Sequence, residues 1–108
     1  MNVSNIYRTA EWFEVLQTTA QSQTAVMRLE PSESTGEKAE SHKHSQQLLL
    51  LVKGSLRAEL DGENRNLQAG DVVIIPPGVK HKFTNSGAET ALTFNLYCPP
   101  EYPPDEKG

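Results

Sequence analysis

The chain contains three histidines, His42, His44 and His81, and imidazole is the commonest protein ligand for a transition metal near neutral pH. Only Lys43 separates the first two. On an extended strand, side chains two residues apart share a face, so this pair can aim two rings at one cation. Taken alone, such a pair is more often two solvated surface side chains. If all three histidines serve a metal, none is left to shuttle protons. Acid–base chemistry would then fall to metal-bound water or hydroxide, or to a carboxylate, a tyrosine or a lysine, and Glu59 and Tyr97 are available by residue type. Cys98 has no histidine or cysteine beside it and reads as an inert thiol. No catalytic residue is assigned on this basis.

The elements that must position these residues read as strands. Short apolar runs alternate with turn residues every eight to twelve positions, the spacing of sandwiches and barrels. Glu11 to Gln17 alternates loosely and fits either a strand or one helical turn. Thr24 to Leu29 reads as a strand that ends at Pro31, and Pro31 to Ser41 as an exposed polar loop. Gln47 to Lys53 predicts a strand covered on both faces. Ser55 to Leu60 and Glu63 to Leu67 predict a hairpin, because Asp61-Gly62 suits a type I′ turn. Val72 to Ile75 reads as a buried β-branched strand. Pro76-Pro77-Gly78 predicts a type II turn that delivers His81 to the start of the return strand. Thr90 to Tyr97 is the last strand, and the proline-rich tail 99–108 is expected to stay out of the sheets. Arg28 and Arg57 lie on predicted strands and could aim inward at an anionic ligand. Phe83, two residues after His81, shares its face and lines either a pocket or ordinary core.

Two ordered patterns then give the histidines a context. Gly36-(five residues)-His42-x-His44, with Gly54 downstream, resembles the first conserved motif of the cupin family. Gly70-(five)-Pro76-x-Gly78-(two)-His81-(three)-Asn85 matches the second at every defined position. The first spans residues 36–54 and the second 70–85, with 15 residues between Gly54 and Gly70. The resemblance implies an all-β fold: one jelly-roll β-barrel domain over residues 1–108, with a metal inside near its mouth. All three histidines fall on the family's ligand positions.

The fourth ligand departs from the family's pattern. Cupins usually carry a glutamate seven residues before the motif's closing glycine; counting back from Gly54 lands on Gln47, three positions after His44. One residue is missing from the intervening turn. The resemblance therefore implies a metal set of His42, His44, Gln47 and His81, with Gln47 coordinating through its carbonyl oxygen. Gln46 competes on strict alternation from His44, and a site of three histidines and water is the third possibility. Three imidazoles and an oxygen suit one divalent transition ion, Zn, Mn, Fe, Co or Ni. Neutral Gln47 would leave the ion's +2 charge uncompensated by protein, which favours anionic ligands. Cupin sites with glutamine resemble those of sugar isomerases and of lyase-type cupins. The expected function is thus action on, or binding of, a small anionic or carbohydrate-like metabolite, with a dioxygenase or a non-enzymatic sensing module as alternatives.

Composition limits the partners. At 108 residues with net charge −4 and ten scattered Lys and Arg, the chain lacks the basic stripe that nucleic acid demands and fits anionic membranes poorly. Its longest apolar run, Leu48 to Val52, is far short of a membrane span. One cysteine and no apolar leader suit a cytoplasmic protein. The Leu48 to Val52 run and Trp12-Phe13 carry more apolar surface than one barrel face needs, and the resemblance implies dimers, so a homodimer is expected.

Overall fold

Alternating inward and outward side chains organise eight strands in residues 1–36 and 40–107, the part of the chain described by the computed structural model. β1 (Phe13–Thr18), β2 (Gln23–Leu29), β8 (Ala91–Cys98), β3 (Gln46–Lys53) and β6 (Val72–Ile75) form one antiparallel sheet in that order. β5 (Glu63–Gln68), β4 (Ser55–Leu60) and β7 (His81–Thr84) form the second. The apolar faces of the two sheets enclose one core that includes Leu29, Leu49, Leu51, Leu56, Ile75 and Phe83. This is the all-β architecture that the strand pattern predicts, in the jelly-roll form that the resemblance implies. No helix among the described residues is long and apolar enough to cross a membrane.

Backbone chemistry explains the corners. Asp61 (φ 47°) and Gly62 (φ 85°) both take the left-handed region, as a type I′ hairpin between β4 and β5 requires. At Gly54, between β3 and β4, φ is +86° and a Cβ would meet Thr90 O at 2.8 Å and Ala91 Cα at 2.9 Å. Only glycine lets β3 turn there against the start of β8.

Of the two readings of 11–17 the strand holds: residues 13–18 are β1, paired with β2. Three other expectations change. β6 is not buried: it is the edge of the five-stranded sheet, and its outward Val72 and Ile74 are 57% and 48% exposed. β3 is buried on one face only; Leu48, Leu50 and Val52 point outward and are half-buried. The polar loop after Pro31 is tied to β7, through Thr35 N donating to Phe83 O and a reciprocal backbone pair between Glu40 and His81. Residues 37–39, within the first motif, lie outside the described residues. The tail forms no strand, yet it runs along the β1 edge, where Val15 N donates to Glu106 O at 3.0 Å and Glu14 bridges Lys107.

Candidate metal centre

The turn Pro76-Pro77-Gly78 reverses the chain after β6 and sets His81 as the first residue of β7. Gly78 N donates to His42 O at 2.7 Å, and His81 N to Glu40 O at 2.7 Å. These bonds fasten the two histidine-bearing segments together, and the His42 and His81 rings lie with centroids 4.9 Å apart. Both are buried. Gln47 enters from β3 with its side chain inward, while Gln46 is exposed. His44 is also exposed and does not line the cavity. The alternation argument for His42 and His44 does not hold locally, because β3 begins only at Gln46 and the chain bends at Lys43 and His44. Ser45 turns inward in place of His44, its Oγ donating to Pro99 O at 2.8 Å.

The electronics of this cluster suit a cation. His81 Nδ1 lies 3.1 Å from Val79 O, which favours a proton on Nδ1 and a free lone pair on Nε2. Burial is the main reason the His81 pKa is lowered from 6.5; neighbouring His42 adds to this and the Val79 carbonyl opposes it. A neutral ring is the ligand form. His42 Nδ1 contacts Glu101 Oε2 at 3.4 Å, which likewise leaves Nε2 free. Gln47 Nε2 donates to Asn95 Oδ1 at 3.0 Å, and Gln47 Oε1 is buried without any hydrogen-bond partner. Among the described residues no group of three or more His, Cys, Asp or Glu is arranged to hold a metal. The third donor here is an amide oxygen. Two imidazoles and an orphaned carbonyl oxygen around one cavity fit a divalent transition ion.

That cavity, of about 70 Å³, is lined by His42, Gln47 and His81 together with Trp12, Phe13, Met27, Thr35, Glu40, Phe83, Tyr97 and Tyr102. Phe83 serves as both core and wall. Sequence reasoning missed Tyr102 and Glu101, which come from the tail; an aromatic residue in a polar, proline-rich segment was the only cue. Gln23, fully buried, holds the tail in place. Its Oε1 accepts from Glu101 N (3.1 Å) and Tyr102 N (2.9 Å), and its Nε2 donates to Tyr102 O (2.8 Å) and Thr18 Oγ1 (3.0 Å). Burial pushes the Tyr97 phenol well up, and pushes Tyr102 to about 12; the two rings pack edge to face with centroids 5.3 Å apart.

Other candidates point elsewhere. Glu59 faces the outside of the second sheet beside Arg57 and Lys82. Arg28 donates to Thr9 O, and Arg57 is exposed and donates to Asn64. Among the described residues no Lys or Arg lines the cavity. With Glu40 in the wall and Glu101 against His42, the expectation of an uncompensated positive site does not carry over from the ligand set to the folded site.

Comparison with known proteins identifies the family of this barrel. Residues 25–97 match the family profile described as Cupin domain. Polyketide synthase CurC of Streptomyces cyaneus is 38% identical over 64 residues, covering 56% of this chain and 42% of that protein. Protein SchB of Streptomyces halstedii is 33% identical over 64 residues, covering 56% of this chain and 46% of that protein. The chain thus spans less than half the length of either relative. The crystal structure of BH2720 from Bacillus halodurans superposes with a TM-score of 0.87 at 21% identity, covering 94% of this chain and 80% of that one. With the barrel, the second motif and the profile match in agreement, the chain belongs to the cupin family.

Proposed function

We propose that this cupin holds one divalent transition ion between His42 Nε2, His81 Nε2 and Gln47 Oε1, and through it binds or transforms a small oxygen-bearing molecule. The carrying observation is the buried, unpartnered Gln47 Oε1 beside two imidazoles whose Nδ1 atoms are already engaged. An acceptor left unpaired in the interior costs about 1–3 kcal/mol, a cost that a cation removes. When bound, the ion would supply Lewis acidity to a ligand oxygen.

The surrounding side chains support a reading of the ligand class. Phe13, Phe83, Tyr97 and Tyr102 offer an aromatic wall for a flat or apolar body. The carboxylates of Glu40 and Glu101, with no cation in the lining among the described residues, disfavour an anionic ligand and favour a neutral one. The cavity of about 70 Å³ has room for an ion and little else. The body of the ligand therefore sits toward the mouth, where Trp12 is partly exposed. A neutral, keto- or hydroxyl-bearing ring, carbohydrate-like or polyketone-like, fits these features. The match to polyketide synthase CurC supports the polyketone form. High phenol pKa values keep Tyr97 and Tyr102 protonated at neutral pH, as hydrogen-bond donors to such oxygens. A purely binding role uses the same contacts, and turnover of a cyclic 1,3-diketone or a sugar separates the two.

Elemental analysis of the purified protein is expected to give about one divalent transition ion per chain. A thermal-shift screen is expected to favour neutral diketones and sugars over small carboxylates. Full metal occupancy in a protein carrying both His42→Ala and His81→Ala would sink the assignment. Stabilisation by carboxylates alone would overturn the neutral-ligand reading.

A further inference from the structure

Gln47 can present either end of its amide to the cavity, and only the oxygen can hold a cation. A line of buried side chains decides which end faces in. Thr93 and Asn95 alternate inward on β8, between β2 and β3. Thr93 Oγ1 donates to Met27 O at 3.4 Å, Asn95 Nδ2 donates to Thr93 Oγ1 at 2.9 Å, and Gln47 Nε2 donates to Asn95 Oδ1 at 3.0 Å. The main-chain carbonyl of Met27 can only accept, so it sets the direction of the whole line. The Thr93 hydroxyl gives its proton to that carbonyl and must accept from Asn95. Asn95 then shows its oxygen to Gln47, which must answer with its amide nitrogen. Gln47 Oε1 is what remains for the cavity. Run in reverse, the line would strip Met27 O of this hydroxyl and turn an NH₂ group toward the two imidazoles. Thr93, Asn95 and Gln47 are 1%, 0% and 4% exposed, so bulk solvent does not compete for these bonds.

From this geometry we infer that Asn95 and Thr93 are positioning residues that lock Gln47 as an oxygen donor to the metal. The inference rests on the proposed metal site and assigns that site two residues that never touch the ion. It also accounts for polar side chains in the middle of a barrel core, where apolar residues of similar size would pack without needing partners.

The test is a double-mutant cycle read by Co(II) titration of metal-stripped full-length protein, with melting of each metal-free variant as the folding control. Asn95→Leu is expected to weaken Co(II) binding about 10- to 100-fold, the range for groups that orient a ligand. In the Gln47→Glu background the two carboxylate oxygens are equivalent and no orientation needs to be held. There Asn95→Leu is expected to cost less than about threefold. Thr93→Val, nearly isosteric, is expected to show the same non-additivity with a smaller loss, and it serves if Asn95→Leu does not fold. Equal losses in both backgrounds would reduce Asn95 to a packing role and overturn the inference, as would unchanged affinity in Asn95→Leu. If neither the wild type nor Gln47→Glu takes up Co(II), the metal site itself fails and this inference goes with it.

Discussion

Each donor atom in the cavity has its other side occupied, and that division of labour allows the donors to be tested one at a time. His42 and His81 each engage Nδ1 with an oxygen, and Gln47 engages Nε2 with Asn95. His42→Ala and His81→Ala are each expected to lower metal affinity by at least about a hundredfold, whereas exposed His44→Ala stays within about threefold. Isothermal titration of the three variants checks the order, and a large loss in His44→Ala would return that residue to the site. The tyrosines give a second test at this scale. The Tyr102 pKa is raised above its unfolded value of 10 to about 12, so its contribution to stability is present below pH 10 and lost as pH rises toward 12. Tyr97 acts in the same direction. Phenolate absorbance from this pair should appear together with unfolding, between about pH 10 and 12; Phe at position 102 should flatten the alkaline limb of the stability curve.

The segments outside the strands do as much for the site as the strands themselves. Gln23 uses both ends of its amide to bind the tail backbone at Glu101 and Tyr102. Gln23→Leu would leave those groups without partners and is expected to cost about 2–3 kcal/mol. For a domain of this size that lowers Tm by roughly 10 °C or more. The same variant should weaken metal binding, because Glu101 would lose its place beside His42. A variant that melts lower but binds metal as tightly as wild type would show that the tail stabilises the barrel without shaping the site. Gly54 tests the opposite corner. A Cβ there would press on backbone at Thr90 and Ala91, so Gly54→Ala is expected to destabilise by more than about 2 kcal/mol in urea unfolding.

At the scale of the whole molecule, the outward face of the five-stranded sheet remains open on one side. The register sets Leu48 between Ile74 and Leu96, and Leu50 between Val72 and Phe94, a continuous apolar patch on β6, β3 and β8. Gln17 and Arg28 bond the N-terminal segment at Asn2 and Thr9, at the other end of this sheet. A contiguous patch of this kind commonly marks an interface, and a second copy in a closed pair is the expected cover. Light scattering at micromolar concentration should return twice the chain mass, and Ile74→Lys should return one. A monomeric wild type would leave the patch to some other partner.

The features that local chemistry determines were legible in the sequence. Asp61-Gly62 and Pro77-Gly78 could hardly be other than turns, because few residues tolerate the positive φ found at Asp61, Gly62 and Gly78. Short apolar runs between turn residues likewise marked the strands that became β2, β4 and β8. Where the strand began was not legible. His44 reads as a partner of His42 only if the chain is extended between them, and the bend before Gln46 is a tertiary result. The exposure of β6 was hidden for a related reason: β-branched residues suit any strand, and only the strand order makes this one an edge. Glu101 and Tyr102 reach the cavity because a buried glutamine nearly eighty residues upstream holds their backbone. The direction of the Gln47 amide is set by a carbonyl on one strand acting through two side chains on another. Turn and alternation rules act within a few residues of sequence, whereas these contacts depend on register across three strands, which only the folded barrel supplies.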